Sequence, residues 1–282
     1  MTDTAIKEVF GGDDRLNIIW QPSVFLPYHP NGMKFSAYDE GGNLCGEWTV
    51  YSVGGGALSE GDTPKWLQDS HEDVYEKNYL SEIMSWCNTH GRNYWEYVKE
   101  NENSDIWDYL MEVWNMMKES VERGLDHEGA LPGPLNIPRK APTYYVKARG
   151  YKQSLQTRGL VYAYALAVSE ENASGGTIVT APTCGSCGVM PAVLYHLSNS
   201  HNFSDTRILH ALATAGIFGN VVKTNASISG ADVGCQGEVG VACAMASAAA
   251  CQLFGGSPSQ IEYAAEMGLE HHLGMTCDPV CG

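Results

Sequence analysis

The chain has 282 residues, 44% of them hydrophobic and 18% charged, which is typical of a globular protein and not of a disordered one. Its formal net charge of −16 argues against a protein that binds nucleic acid or an anionic membrane through a broad electrostatic surface. No apolar run reaches the roughly 18 residues of a membrane span, no signal-peptide pattern is visible, and nine cysteines without a disulfide framework favour a reducing cytoplasm.

The first sixty residues favour β structure. Two short β-prone runs, LNIIW and VFLPY (16–20 and 24–28), lie between Asp-Asp, Gln-Pro and His-Pro breakers. Two longer runs, MKFSAY and GEWTVYSV, flank the loop-forming segment 39–43 and predict a β-hairpin. The glycine-rich segment 52–56 could cradle an anion with its backbone N–H groups or simply be a flexible exit from the strand. We therefore expect a small β-rich domain over residues 1–61.

Beyond this domain, the polar segment 62–76 is interpreted as an interdomain linker, and helical patterns then dominate. Apolar residues recur at helical spacing over 104–123, with Ser104 as the expected N-cap and Gly124 as the expected end. Further helices are predicted over 155–171 and 204–221. The expected fold class is therefore α+β, mostly α, with an all-helical domain over residues 77–282 after the small β-rich domain.

Two other local signals carry specific expectations. The proline-rich segment 131–142 predicts an extended arm, in which we expect Arg139 and Lys140 to be a solvated pair. Ser257, Pro258 and Gln260 predict a capping box that opens the last helix. These signals locate helix ends and loops but assign no chemistry.

Two cysteines near the end of the chain lie in tight polar turns. Gly234 and Gly237 flank Cys235, and Asp278 follows Cys277, so both thiols should project from irregular backbone near helix ends. A helix N-terminus favours the thiolate, which is the form that ligates metal. Thiolates on irregular backbone suit an iron–sulfur cluster or zinc. On the residues alone, ordinary free cysteines in loops are an equally good interpretation.

Longer phrases around these cysteines resemble a known family. The run NASISGADVGCQGEVGVACAMA, followed after a helix by GLEHHLGMTCDPV, resembles the catalytic α region of the bacterial iron–sulfur L-serine dehydratases. HPNGMKF and YSVGGG resemble the end of the β domain of the same enzymes. The resemblance implies a 4Fe–4S cluster with Cys235 and Cys277 as two of its ligands. The third ligand of the family lies in a VPC-type phrase beyond the second, which has no counterpart before Gly282.

The resemblance also implies a longer protein. The family's β domain contains, upstream, a serine-rich SSSHT phrase and a GHMTD-like phrase, and Met1-Thr2-Asp3 matches the tail of the latter. We interpret the chain as a fragment cut at both ends. Because the third cluster cysteine is missing, we expect the fragment alone to be inactive or nearly so, although Cys281 could substitute.

The implied activity is the deamination of L-serine to pyruvate and ammonia, with a cluster iron acting as Lewis acid on the substrate hydroxyl. Polar residues near the family phrases are the candidates to bind or convert serine. The candidate catalytic residues are Lys223, which could neutralise the carboxylate, Glu238, which could orient the ammonium, and His271, a possible general acid or base. The candidate substrate-binding residues are Thr183, Ser186, Asn225, Ser227 and Ser229, and the metal ligands are Cys235 and Cys277.

The pair Cys184-x-x-Cys187 allows a different interpretation, as a redox dithiol or half of a zinc site. No second CxxC completes a zinc site, no thioredoxin-like context surrounds this one, and the family's cluster cysteines lie elsewhere. We expect the pair to shape a glycine-rich turn near the pocket.

Two other functions remain open. A pyridoxal-phosphate lyase would need a Schiff-base lysine beside a phosphate-binding glycine loop, which Lys223 lacks. A non-catalytic helical module would use its cysteines for structural zinc or for nothing. The expected partners are L-serine and a second copy of the chain in a homodimer, without nucleic acid or membrane, and the expected compartment is the cytoplasm.

Overall fold

The computed structural model describes most of the chain, as two compact units, Met1–Ser70 and His71–Gly282. Helices dominate the described residues, and the strands form a small sheet in the first unit, so the predicted fold class is confirmed. Among the helices described, none is both long and apolar enough to span a bilayer. The described residues are 2–12, 15–29, 31–54, 57–61 and 74–276.

The described residues of the first unit form one helix and a three-stranded antiparallel sheet in the order β1-β2-β3. The predicted hairpin is confirmed, because β1 pairs with β2 across the loop at 39–43. In this loop the Asp39 carboxylate accepts a hydrogen bond of 2.8 Å from the backbone N–H of Asn43. The elements are α1 (Thr2–Val9), β1 (Gly32–Tyr38), β2 (Leu44–Gly54) and β3 (Ala57–Ser59).

The two shorter β predictions are wrong. Residues 16–20 and 24–28 are not in strands, and apolar side chains such as Trp20 and Phe25 are exposed. A strand is stable only when a neighbouring strand satisfies its backbone hydrogen bonds. Among the described residues, neither run is paired with a strand of the sheet. The alternative functions of segment 52–56 stay untested, because Gly55 and Gly56 lie outside the described residues.

The second unit is helical, and its core lies between α4, α7, α8 and α9. The largest fully buried side chains of this core are Trp114, Met117, Met190, Leu194 and Ile208. The predicted boundaries at 61 and 77 stay predictions, since 62–73 lie outside the described residues. The helices are α2 (Leu80–His90), α3 (Tyr94–Asn101), α4 (Ile106–Asp126), α5 (Ala141–Arg149), α6 (Gln153–Ala173), α7 (Val189–His201), α8 (Asp205–Asn225), α9 (Gly230–Leu253) and α10 (Pro258–Glu270).

The capping prediction is confirmed for α10 and wrong at both ends of α4, whose N-cap is Asp105 and not Ser104. Ser257 accepts a hydrogen bond from the backbone N–H of Gln260, and the Gln260 side chain accepts one in return, so the predicted capping box is confirmed. Gly124, however, does not end α4. A Cβ added to Gly124 would lie 2.2 Å from the carbonyl oxygen of Ala167 in α6. Glycine is therefore needed there for the close crossing of α4 and α6.

The predicted extended arm is wrong, because the segment turns back on itself: Ala130 and Pro138 form an antiparallel bridge, and the Leu131 N–H donates to the Ile137 carbonyl oxygen at 2.8 Å. Pro142 lies in the first turn of α5, where proline is tolerated. The expectation of a solvated Arg139 is wrong. The Arg139 side chain is only 8% exposed and lies 3.3 Å from a carboxylate oxygen of the buried Glu171. The Lys140 side chain is exposed, whereas its backbone N–H donates to the Glu170 carboxylate. The end of this segment is thus anchored to α6 by two adjacent acidic residues.

Candidate active site

The helix α9 is interrupted one residue before Cys235. Gly234 has φ 72° and ψ 171°, a conformation that glycine adopts without the strain other residues would incur. Cys235 therefore opens the longer helical segment of α9, and its thiol is exposed. This agrees with the expectation from the flanking glycines. Backbone N–H groups in the first turn of a helix favour a thiolate at such a position.

The carboxylate of Glu238, one turn after Cys235, lies in a small recess, called the cradle below, between the turn at 183–186 and Gly230. Thr183 donates a hydrogen bond of 2.6 Å to Glu238 Oε2, and the hydroxyls of Thr183 and Ser186 are 3.1 Å apart. A Cβ added to Gly185 would lie 2.3 Å from Glu238 Oε1, and one on Gly230 would lie 3.0 Å from the carboxyl carbon. The fold thus brings together three predicted site residues, between two glycine backbones. This cradle is the candidate site.

The cradle is built from two distant parts of the chain. Thr183 and Ser186 belong to the turn before α7 and are 4% and 2% exposed. Glu238 belongs to α9, and Ser229, which is also buried, immediately precedes Gly230. A carboxylate held by a hydroxyl in partly buried surroundings can accept hydrogen bonds from an ammonium group.

The remaining polar candidates have other contacts. Asn225 at the end of α8 donates to the carbonyl oxygens of Asn78 and Val221, at 2.7 and 2.8 Å. The hydroxyl of Ser227 accepts a hydrogen bond of 3.1 Å from the backbone N–H of Ser229. Lys223 is in the last turn of α8 and is exposed. The structure records no hydrogen bond or ion pair between Lys223 or Asn225 and Glu238, all of which lie in the described part of the chain.

Two adjacent histidines after α10 have different environments. The ring of His271 is exposed, and its Nδ1 lies 2.7 Å from the carbonyl oxygen of Met267. The Nδ1 of His272 donates to the carbonyl oxygen of Gly268, which leaves its Nε2 to accept from the Cys243 thiol at 3.5 Å. Burial raises the pKa of that thiol above its ordinary value. Sequence reasoning selected His271 and missed His272.

A signal for His272 was present in the sequence. The inner stripe of α10 includes the buried Ile261 and Ala265 and the half-buried Gly268 and Leu269. His272 lies four residues after Gly268 and three after Leu269, whereas His271 is at such a spacing only from Gly268. The stripe therefore favoured His272 as the imidazole that faces α9.

A second contact joins the turn after α10 to α9. The side-chain carbonyl of Gln236 accepts a hydrogen bond of 2.8 Å from the backbone N–H of Gly274. Gln236 follows Cys235 directly, and Gly274 precedes Cys277 by three residues. Cys277 itself, like Cys281, lies outside the described residues, so its predicted pairing with Cys235 stays a prediction. Within the described residues, no group of three histidine, cysteine or acidic side chains is arranged to hold a metal ion.

The CxxC pair divides into two different environments. Cys187 is 1% exposed, and burial raises the pKa of its thiol to about 12. Cys184 is exposed. A buried thiol of such high pKa is a poor nucleophile. The geometry therefore argues against the redox interpretation of this pair.

Comparison with known families decides which family these residues belong to. Residues 60–282 match the serine dehydratase alpha chain family, and residues 7–63 match the serine dehydratase beta chain family. The chain is a serine dehydratase family member. The resemblance inferred from the GCQGEVG and TCDPV phrases is thereby confirmed.

Curated relatives of this serine dehydratase chain come from several bacteria. It is 42% identical over 277 residues to the L-serine dehydratase TdcG of Escherichia coli strain K12, covering 94% of this chain and 61% of the relative. It is 43% identical over 268 residues to the L-serine dehydratase of Streptomyces coelicolor, covering 91% and 59%. It is 36% identical over 275 residues to the L-serine dehydratase of Helicobacter pylori, again covering 91% and 59%. The chain thus spans about three-fifths of the length of these relatives.

Proposed function

We propose that this serine dehydratase chain takes part in the deamination of L-serine to pyruvate and ammonia, with a 4Fe–4S cluster as cofactor. Its family membership and the names of its relatives support the substrate. The observation that carries the proposal is the Glu238 carboxylate, which lies one helical turn after Cys235 and is held by Thr183 between two glycine backbones. Cys235, the candidate ligand of the cluster, and Glu238, the candidate residue for binding the substrate, therefore lie within one turn of α9.

The described residues are compatible with the cluster at Cys235. Its thiol is exposed and stands just after the break at Gly234, where the first helical turn favours a thiolate. The hydrogen bond between Gln236 and Gly274 holds the turn after α10 against Gln236, which is the residue next to Cys235. Three residues span at most about 10 Å when fully extended. This distance supports the proposal that Cys277 ligates the same cluster as Cys235.

When bound, such a cluster supplies a Lewis-acidic iron that makes the β-hydroxyl of serine a better leaving group. In this proposal the chain's own residues bind and orient the substrate. Glu238 accepts hydrogen bonds from the substrate ammonium, and Thr183 holds Oε2 of that carboxylate in position. Ser186 supports the Thr183 hydroxyl from the same buried turn.

The other predicted site residues have weaker support. Ser229 lies beside the cradle through Gly230, and Ser227 supports its backbone, so both remain candidates for binding the substrate carboxylate. Lys223, Asn225 and His271 remain proposals from sequence alone, because their described contacts lie elsewhere. The assignment of 1–61 to the end of a β domain, the homodimer and the cytoplasmic location are proposals of the same kind.

Anaerobic purification of the protein that contains this chain tests the proposal. We expect a brown protein with iron and sulfide that forms pyruvate from L-serine. The C235S variant should lose iron and activity together, whereas C251S, on the same helix, should retain both. A colourless wild-type protein with full turnover would contradict the cluster. A yellow pyridoxal chromophore would instead support a pyridoxal-phosphate lyase. An inactive, colourless protein would support a non-catalytic helical module.

A further inference from the structure

A cleft with a volume of about 370 Å³ lies between the start of α3, the first half of α8 and the end of α9. This volume is within the range of small-molecule sites. None of the candidate active-site residues lines it. The lining residues are Asn93, Trp95, Arg207, His210, Gln252 and 253–255.

The imidazole of His210 lines this cleft and packs against two indole rings. Its ring stacks on Trp95 with centroids 3.6 Å apart and planes 7° from parallel. The ring of Trp107 meets it edge-on at 5.5 Å. Burial, with a contribution from the charge of Lys99 and against that of Glu96, lowers the pKa of His210 below its ordinary value. The imidazole carries at least one N–H donor in either protonation state, and its ring nitrogens have no hydrogen-bond partner among the described residues.

Two further side chains present donors to the same space. The buried Thr214 hydroxyl donates to the Oε1 atom of Gln252, which leaves the Gln252 amide NH₂ as a donor. Arg207 is exposed and forms no ion pair with any described residue. No carboxylate side chain is among the lining residues. The polar lining is therefore rich in donors, in a chain whose net charge is −16.

The end of α9 adds an apolar wall. Leu253 is buried, and Phe254 is 61% exposed at the edge of the cleft. A ligand that satisfies both the donors and this wall has an acidic head and a short apolar body. The planar guanidinium of arginine matches the two oxygens of a carboxylate and can donate to both of them.

We propose that this cleft binds a small carboxylate, whose acidic group pairs with Arg207 and whose apolar end contacts Leu253 and Phe254. His210 and Gln252 add hydrogen bonds to the same carboxylate. Because a single solvent-exposed ion pair contributes little, we expect millimolar affinity. This site does not depend on the proposed dehydratase activity.

Titration of the intact chain with propionate tests this proposal, because propionate has an apolar end and lacks the hydroxyl and amino groups of serine. Binding is measured by calorimetry and by tryptophan fluorescence, at constant ionic strength. We expect saturable binding that weakens by about twofold to fivefold in R207Q, the loss expected when an exposed ion pair is removed. R207K keeps the positive charge but lacks the planar guanidinium, so its affinity for propionate should lie between those of the wild type and R207Q. R158Q removes an exposed arginine from α6 and should bind like the wild type.

Inorganic phosphate provides the second arm of the experiment. We expect it to bind more weakly than propionate, because it cannot use the apolar wall. Circular dichroism checks that each variant is folded. Absence of saturable propionate binding, equal binding by R207Q and R158Q, or tighter binding of phosphate than of propionate would each overturn the proposal.

Discussion

Gln236 and Gly274, 38 residues apart, are joined by a hydrogen bond of 2.8 Å from the Gly274 backbone N–H to the Gln236 side-chain carbonyl. One partner is adjacent to Cys235, and the other precedes Cys277 by three residues. The contact therefore holds the turn after α10 against the part of α9 that carries the candidate cluster ligand. The hydrogen bond between His272 and Cys243 is a second contact between this turn and α9, about two helical turns after Gln236.

The first prediction concerns this contact. In Q236A the turn loses its anchor, so Cys235 and Cys277 should be cross-linked more slowly by a short bifunctional thiol reagent in the metal-free protein. The rate is measured by mass spectrometry in a background where Cys45, Cys184 and Cys281 are serine. Q153A removes an exposed glutamine from the start of α6 and should not change it.

Failure to form any Cys235–Cys277 cross-link in the metal-free parent protein would contradict the proposal that these two thiols share a site. An unchanged rate in Q236A would instead show that Gln236 does not position the turn. Iron content after reconstitution gives a second measure that does not rely on turnover, and it should decrease in Q236A.

The second prediction separates the roles of Glu238 and Thr183. If Glu238 binds the substrate ammonium, E238Q should lower kcat/KM for L-serine by roughly tenfold to a hundredfold, the range for a hydrogen bond to a charged group. T183V, which removes the hydrogen bond to Glu238, should raise KM, and T183S should restore it. E266Q changes an exposed glutamate on α10 and serves as the control.

Steady-state kinetics with the protein that contains this chain measures these effects. Because Thr183 acts through Glu238, the double variant T183V/E238Q should lose little more than E238Q alone. Fully additive losses, or an E238Q variant with normal kcat/KM, would contradict a shared role in binding serine.

The third prediction concerns the acid stability conferred by Glu171. Burial by itself raises the pKa of Glu171, but its hydrogen bonds with His127, Arg123 and Arg139 outweigh burial and hold that pKa below its ordinary value. A carboxyl group with a lowered folded-state pKa stabilises the fold above its unfolded pKa of about 4.3, and this stability is lost as the pH falls through the folded value.

We therefore expect E171Q to lower the free energy of unfolding by about 3–5 kcal/mol at pH 7, as when one partner of a buried ion pair is removed. Its stability should also decrease less between pH 5 and 3 than that of the wild type. Urea unfolding at several pH values measures both. E100Q breaks an exposed ion pair with Arg92 and should cost less than about 1 kcal/mol. Equal losses in the two variants would argue against the buried network.

The fourth prediction tests the crossing of α4 and α6. G124A improves intrinsic helix propensity by about 1 kcal/mol, but its Cβ would lie 2.2 Å from the backbone of Ala167. The steric cost should dominate, giving a net destabilisation of about 1–3 kcal/mol. G216A in α8 has no atom within 4 Å of the added Cβ and should be neutral or stabilising. Thermal unfolding compares them, and a stabilised G124A would contradict the close crossing.

Local signals in the sequence were enough to predict several elements. The hairpin around 39–43 and the capping box at Ser257 form through hydrogen bonds between residues close in the chain, so their residue types predict them directly. The phrases around Cys235 and Cys277 were long enough to predict the family. The same local reasoning failed for 16–20 and 24–28, because a strand depends on a neighbour that no local pattern specifies.

The amino-acid sequence by itself determined the mostly helical character of this protein, the start of its last described helix and the family to which it belongs. Only the tertiary structure decided that Gly124 serves a helix crossing, that Arg139 is paired with Glu171, and that Glu238 meets Thr183 across 55 residues. These contacts arise when whole helices pack, because packing brings together side chains that are too far apart in sequence for any local pattern to relate them.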